Sequence, residues 1–578
     1  MAPKNKNSVS QAVKRIRTWY GLLVLILVIF GARLFYVQII HYNHYRAAAL
    51  SDQLKQYSIP ATRGTISAHD GDNVLPIVLN QQLYVLYADP TLVKKPDPTA
   101  AKIAAAIGGD PAKYAELMKT KKTRYVVLGK KLSPEQSKQI TALKLAGVGT
   151  IGQDYRTYPQ ASLLGQVLGF VNDEGQGKYG IEQALNKQLT GVPGSLKAIT
   201  DASGVPLAAS KDNIRIAPKN GQDLTLTIDL AMQQQLETIL ANGAKNSKAA
   251  SASALIMDTT NGSIKAMANV PTYDPSKYFD VDDPTVFQNA AVSHPIEIGS
   301  SMKTLTTASA LDQGVVQPNT TYYDPSTWTV DQFKITNIEE DGGAGTRSIT
   351  DILNLSLNTG ATWELMQMGG GQINQKARNA WYDYMSNRYM FGKPTGIEQG
   401  YEADGYVPKP EDNGAGIDLT YANTAFGQAM TATPIQMAGA LSSVVNGGTY
   451  YQPHLVEKKP KVVKSGVVSP KTSAAIIPMM QYTIDHHNFN PKFDQAAYVV
   501  GGKTGTAQIA KPGGGYEDNL FNGTYAGFVG GDAPKYVIVV FVYKPTIGGY
   551  AGTAAAQPIF SDLAHMLINN SYVEPKKH

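Results

Sequence analysis

The longest apolar run of the chain lies near its start, where Thr18 to Ile40 is broken among charged residues only by Arg33. A helix of about 20 apolar residues crosses a bilayer, so the run predicts a transmembrane helix over 18–40. Arg33 stands toward its far end, where a long side chain can reach the interface. No small-x-small site follows the Leu22–Phe30 core, which argues for a retained anchor over a cleaved signal peptide. No later segment of comparable length is as apolar, and the expectation is a single pass.

Residues 41–215 mix short strand-like and helical stretches with polar turns. The run Leu83-Tyr84-Val85-Leu86-Tyr87 predicts a strand within Gln81–Asp89. Pro111–Met118 and Pro134–Leu145 predict short helices, each opening on a proline. Asp70, Asp72 and Asn73 around Gly71 resemble part of a calcium loop, but the closing glutamate is missing and a turn is the better reading. Nothing here reads as a catalytic constellation; the stretch reads as a spacer or docking domain.

The texture changes near Ile216. Asp223–Asp229 alternates as a strand, and Ala231 to Leu240 then reads as a helix. Ala254–Met257 and Ile264–Ala268 flank Asn261-Gly262, a strong hairpin signal. A helix is expected at Pro434–Val445, a buried strand at Tyr536–Tyr543 and a closing helix at Pro558–Ile568. Strands first, helices between and strands last predict an α+β domain with an antiparallel sheet over 216–578.

Charge fixes the direction of the anchor. The formal net charge is +6, and Lys4, Lys6, Lys14, Arg15 and Arg17 all precede the apolar run. By the positive-inside rule residues 1–17 form a cytoplasmic tail and the remainder is exported. The remainder is near neutral, which gives a nucleic-acid partner no support. The chain has no cysteine, so thiol nucleophiles, disulfides, thiolate metal sites and iron–sulfur clusters are excluded.

Three short patterns carry the chemistry, each occurring once: Ser300-Ser301-Met302-Lys303, Ser356-Leu357-Asn358 and Lys503-Thr504-Gly505. A serine hydroxyl needs a neighbouring base to become a nucleophile. Positions i and i+3 share one face of a helix, so Lys303 can stand beside Ser300 as general base. A lysine must be neutral for that, which calls for burial or a nearby cation. Lys503 can supply the cation, Ser356 can relay the proton, and Asn358 offers an amide to a substrate peptide. Lys503-Thr504-Gly505-Thr506 comes after Tyr498–Val500 and is expected on a strand whose backbone can pair with an extended peptide. Thr504, Gly505 and Thr506 are then substrate-binding, with Gly505 allowing close approach of a ligand. Backbone N–H groups of Ser300 and Thr506 are candidates for an oxyanion hole. A chain this long shows about two Ser-x-x-Lys by chance at average composition; the three patterns together, in this order behind an anchor, are far more specific.

Over nearly its whole length the chain resembles a class B, monofunctional penicillin-binding protein. Arg63-Gly64-Thr65-Ile66, Arg156-Thr157-Tyr158-Pro159, Gly169-Phe170-Val171-Asn172 and Gly180-Ile181-Glu182 match motifs of that family's pedestal. Leu226-Thr227-Ile228-Asp229, Phe426-Gly427-Gln428 and Gly502 to Gln508 match its transpeptidase domain. The resemblance implies a penicillin-binding/β-lactamase-like transpeptidase domain on an elongated, dimerisation-like pedestal. It further implies D,D-transpeptidase activity on peptidoglycan stem peptides, acylation of Ser300 by β-lactam antibiotics, and no cofactor or metal. There are departures. Ser67-Ala68-His69-Asp70-Gly71 stands where Asp-Arg-x-Gly is usual, and Ile298 and Thr304 replace common prolines.

Other readings of the same residues differ in the fate of the acyl-enzyme. A β-lactamase would be shorter and soluble; a carboxypeptidase would pass the acyl group to water with the same motifs; a bifunctional enzyme would add a glycosyltransferase domain, for which no acidic motif appears. A β-lactam-binding sensor or inactive scaffold of the division complex is the alternative of another class, against which the complete motif set argues. Glu297 before Gly299-Ser300, and Gly175-x-Gly177 beyond Gly169 to Asn172, look more like the septal than the elongation branch. A septal role implies a polytopic lipid II glycosyltransferase and division-complex proteins as partners at the cytoplasmic membrane. His294 reads as a structural residue rather than a base, and His486-His487 as a solvated pair on a loop rather than a metal site.

Overall fold

The computed structural model describes residues 6–45, 54–199, 214–337, 343–511 and 513–577; Lys4 of the basic cluster lies outside them. The chain packs as two compact units, residues 1–63 with 190–221 and residues 64–189 with 222–578. The stretch read as a pedestal thus contributes to both.

The first unit carries the apolar helix. Lys6–Phe35 is α-helical and continues as a π-helical turn over Tyr36–Ile40. Val13–Ile40 is long and apolar enough to cross a membrane, and its most apolar window is unburied. A helix satisfies its own backbone in lipid. The described strands of the unit form an antiparallel sheet in which Gly194–Ile199 lies between Leu54–Ile59 and Ile214–Ile216.

The second unit holds two five-stranded sheets. In one, the strand Asn73–Ala88 pairs antiparallel with Ile66–Asp70, Val126–Leu132 and Val148–Thr157. Its expected extent, 81–89, covered only the second half; residues 73–80, exposed at 73–76 and buried at Ile77 and Val78, are strand because Ile66–Asp70 pairs with them across the turn at Gly71. Leu224–Asp229 joins this sheet in parallel with Ile66–Asp70. Helix Pro111–Met118 falls where the proline signal put it, while Pro134–Ala142 stops short of Leu145. Pro96–Ile107 is a further helix, outside the expected set although it too opens on a proline and ends at Gly108.

The second sheet frames the candidate site. Helix α1 (Leu230–Asn246) starts on Asp229, whose carboxylate accepts from the Met232 N–H at 2.9 Å. Strands β1 (Ser251–Asp258) and β2 (Ile264–Val270) form the hairpin expected around Asn261-Gly262. Helices α2 (Lys303–Asp312), α3 (Asn358–Met368), α4 (Pro434–Val445) and α5 (Pro470–His486) come next. The chain then returns through β3 (Val499–Ala510), β4 (Tyr516–Gly530) and β5 (Pro534–Tyr543) to helix α6 (Gln557–Asn569). The strand order is β2-β1-β5-β4-β3, antiparallel throughout, with β3 on an edge. Alternation along β5 divides its side chains between two cores. Val537, Val539 and Phe541 pack with Leu305, Met437 and Leu441 of α2 and α4. Ile538, Val540 and Val542 pack with Leu236 and Leu240 of α1 and Leu563 of α6. A strand covered on both faces has no polar side, which is why 536–543 reads as a continuous apolar run. Helix α4 is buried at every position, and a capping box of Thr433 and Gln436 with Pro434 at its first turn sets its start.

Two of the quoted pedestal motifs meet in a buried ion pair. Arg156 Nε donates to Glu182 Oε1 at 2.7 Å with side chains 3% and 0% exposed, and its Nη1 donates to Asn80 Oδ1 at 2.9 Å. Removing one partner leaves a buried charge uncompensated. Glu182→Ala is expected to lower the unfolding free energy by about 3 kcal/mol in urea titrations; a loss below about 1 kcal/mol would show that the pair is not structurally important.

Candidate active site

The nucleophile candidate is carried by a tight turn. Gly299–Met302 forms a single 3-10 turn that runs straight into α2, placing Ser300 one turn ahead of the helix with Ser301 and Met302 buried behind it. The turn docks on the edge strand β3. Ser301 Oγ donates to the Lys503 carbonyl at 3.2 Å, and Thr524 Oγ1 donates to the Ile298 carbonyl at 2.8 Å. Gly299 has φ +58°, and a Cβ there would lie 2.6 Å from Thr506 O. Gly505 repeats the constraint from the strand side, since its Cβ would lie 2.4 Å from Ile298 O and 2.8 Å from Ser301 Oγ. The space a side chain would take at Gly505 is therefore filled by the Ser300 turn. Ser300 and Thr506, whose N–H groups were expected to form an oxyanion hole, come from these two touching segments.

Lys303 is fully buried beneath Ser300. Its Nζ lies 2.9 Å from Ser300 Oγ, 2.8 Å from Asn358 Oδ1 and 3.2 Å from Ser356 Oγ, and it also donates to the Ser356 carbonyl. The first and second motifs therefore converge on one nitrogen. Ser356 achieves this with φ +58°, a left-handed conformation that costs a non-glycine residue about 1–2 kcal/mol. It turns both oxygens of the residue toward the amine. Asn358, at the start of α3, uses its amide internally: Nδ2 donates to the Thr336 carbonyl at 3.0 Å. Its oxygen thus serves the amine, and one of its two amide N–H groups serves the backbone, while the residue also lines the cleft. A buried network steadies the start of α3, where Asn337 Oδ1 accepts from the Thr359 N–H at 3.0 Å and Thr359 Oγ1 donates to the buried Asp324 carboxylate at 2.8 Å.

Above these atoms opens a cleft of about 510 Å³ lined by Ser300, Ser356, Asn358, Lys503, Thr504 and Thr506, with Asn354, Phe426, Gln428, His486 and His487 among its walls. Gly505 is absent from the lining because it faces the Ser300 turn. No carboxylate lines the cleft among the described residues, and Lys503 supplies a cation, so the lining complements an anionic group. An amine packed against a hydroxyl beneath such a cleft can take the hydroxyl proton when neutral. His294 stands outside the cleft, stacked on Tyr543 with ring centroids 4.6 Å apart, as a structural residue. The reading of His486-His487 as a solvated loop pair needs correction. His486 ends α5 and stacks on Tyr482, while His487 is half-buried against the cleft with Nε2 3.1 Å from the Asn354 carbonyl.

Residues 252–565, more than half the chain, match the family model described as the penicillin binding protein transpeptidase domain, and residues 58–226 match the penicillin-binding protein dimerisation domain. The chain belongs to the penicillin-binding protein transpeptidase family. Stage V sporulation protein D of Bacillus subtilis is 30% identical over 99% of this chain and 88% of its own length. Peptidoglycan D,D-transpeptidase FtsI of Escherichia coli is 24% identical over 96% of this chain and 91% of its own length. Among solved structures, penicillin binding protein 2X from Streptococcus thermophilus has a TM-score of 0.68 at 21% identity, covering 91% of this chain and 83% of that one; at that identity the likeness speaks for the fold.

One residue of this penicillin-binding protein went unremarked as chemistry in the sequence. Glu297, three before Ser300, accepts at Oε1 from the Ala429 N–H at 2.9 Å and from the Tyr516 hydroxyl at 3.2 Å, and its Oε2 is buried without a partner. It ties the loop of Phe426 and Gln428 to the start of β4. Burial pushes its carboxyl up from the ordinary glutamate range to about 7, against the pull of the Ala429 and Tyr516 hydrogen bonds. The folded state thus favours the neutral acid, and the stability this gives is full below the ordinary glutamate value and lost as pH rises through about 7. Glu297→Gln, which stays neutral, is expected to melt close to wild type at about pH 5 and several degrees above it at about pH 8. Identical melting differences at both pH values would remove the carboxyl's role.

Proposed function

We propose that the chain is a membrane-anchored peptidoglycan D,D-transpeptidase that cross-links stem peptides through an acyl-enzyme on Ser300. The observation that carries this is the hydrogen-bond set of Lys303. The Ser356 carbonyl and Asn358 Oδ1 can only accept. A neutral amine has two N–H groups to give them, which leaves its lone pair for the proton of Ser300.

In the forward reaction Ser300 Oγ attacks the carbonyl of the D-Ala–D-Ala bond as Lys303 takes its proton. The oxygen of the tetrahedral intermediate is met by the N–H groups of Ser300 and Thr506. When the C–N bond breaks, the proton passes from Lys303 through Ser356 to the departing D-alanine. An amine of a neighbouring stem peptide then attacks the ester, loses a proton to Lys303 and restores the serine. Lys503, Thr504 and Thr506 suit the terminal carboxylate, and the open edge of β3 suits an extended peptide backbone. A β-lactam acylates the same serine, but its leaving nitrogen stays tethered.

The wider setting accords with the same reading. The basic cluster before the apolar helix supports a cytoplasmic N-terminus and an extracytoplasmic catalytic region, with residues 41–215 as pedestal and 216–578 as transpeptidase domain. Relatives named peptidoglycan D,D-transpeptidase FtsI support the septal reading; a polytopic lipid II glycosyltransferase and division-complex proteins are the partners that reading proposes. Fluorescent penicillin is expected to label the wild type and to leave Ser300→Ala unlabelled on a denaturing gel. Label that persists in the variant would overturn the assignment.

A further inference from the structure

The wall between the second and third motifs is built around His487. Helix α5 is held to β3 by Thr483, whose hydroxyl donates to the Gly502 carbonyl at 2.7 Å. At the end of α5 the backbone of His487 becomes extended (φ −102°, ψ 156°), and its ring turns toward the segment that precedes Ser356. A carbonyl oxygen only accepts, so the 3.1 Å contact with Asn354 O fixes the proton on Nε2. Burial, and then the charge of Lys503, hold the imidazole below its ordinary pKa and so in the neutral form this tautomer describes.

The segment it grips contains a residue in the left-handed region. Asn354, Leu355 and Ser356 link the end of a helix to the start of α3, with Ser356 in its left-handed conformation. The carbonyl of Ser356 is held by Lys303 and the carbonyl of Asn354 by His487. The Asn354 side chain adds no brace through Oδ1, which is buried without a hydrogen bond. The turn is also closed by the Leu355 N–H on the Asp351 carbonyl at 2.8 Å and the Leu357 N–H on the Ile352 carbonyl at 3.0 Å, so His487 adds the contact from the cleft side that keeps the Asn354 end, and with it the two Ser356 oxygens, in register with Lys303.

We infer that His487 is a positioning residue for acylation, fixing the Asn354–Ser356 turn so that both Ser356 oxygens face Lys303. The inference rests on Ser300 as nucleophile and Lys303 as base. The geometry also says which replacement works. A glutamine places its amide nitrogen near the site of Nε2, whereas an asparagine reaches only as far as Nδ1. The test is the acylation rate constant of the full-length protein with fluorescent penicillin, resolved into reversible binding and acylation, for His487→Ala, His487→Asn and His487→Gln. Alanine and asparagine are expected to slow acylation by roughly tenfold, the worth of about one hydrogen bond, with the reversible binding constant unchanged. Glutamine is expected to recover most of the loss. Glutamine and asparagine variants with equal rates, fast or slow, overturn the inference, because both remove the ring and differ only in reach. Label that survives in Ser300→Ala instead overturns the underlying nucleophile assignment, and the inference falls with it.

Discussion

A lysine amine with no exposed surface is costly to place, and the catalytic region is organised around that cost. Transfer of an unpaired amino group out of water is unfavourable by several kcal/mol, and more if it is charged. Lys303 is accommodated because four oxygen atoms from three residues surround its nitrogen. Those oxygens arrive from three directions. Ser300 comes from the turn before α2, Ser356 from a strained link, and Asn358 from the first turn of α3. The strain at Ser356 is offset where both of its oxygens face the amine, the carbonyl as acceptor and the hydroxyl 3.2 Å away. Chemistry and stability are therefore coupled at one atom, and residues that touch no substrate matter when they hold those oxygens still.

The sheet supplies the opposite wall. Edge strand β3 brings Lys503, Thr504 and Thr506 to the cleft and receives the Ser300 turn through contacts that glycine alone permits at 299 and 505. The strand is rigid because β4 and β5 back it, and β5 is packed by a helical layer on each face. The three motifs, more than two hundred residues apart from first to last, are thus brought together by a core with little freedom to shift.

Much of this was legible in the sequence, for reasons that can be located. Ser300, Lys303, Ser356, Asn358, Lys503, Thr504 and Thr506 sit in short patterns whose spacing implies their geometry, and the structure gathers them at one cleft. The hairpin around Asn261-Gly262 and helix Pro434–Val445 declare themselves through local turn and capping chemistry. What stayed hidden depends on distant partners. Nothing near His487 announces a carbonyl 133 residues earlier in the chain. The same holds for the parallel pairing of Leu224–Asp229 with Ile66–Asp70 and for the exposed part of Asn73–Ala88, whose strand character comes from its neighbours. Gly505 was legible as a constrained position, but which neighbour constrains it required the docked turn.

The account turns on Lys303 serving Ser300, and peptide mapping by mass spectrometry after exposure to benzylpenicillin tests that most directly. Wild type and Lys303→Ala are compared over time, with a cooperative melting transition checked in each. The account predicts an adduct on the Ser300 peptide in the wild type and acylation slower by about a thousandfold in Lys303→Ala, the scale of losing a general base. An adduct on another residue, or a folded Lys303→Ala that is acylated at the wild-type rate, would contradict it.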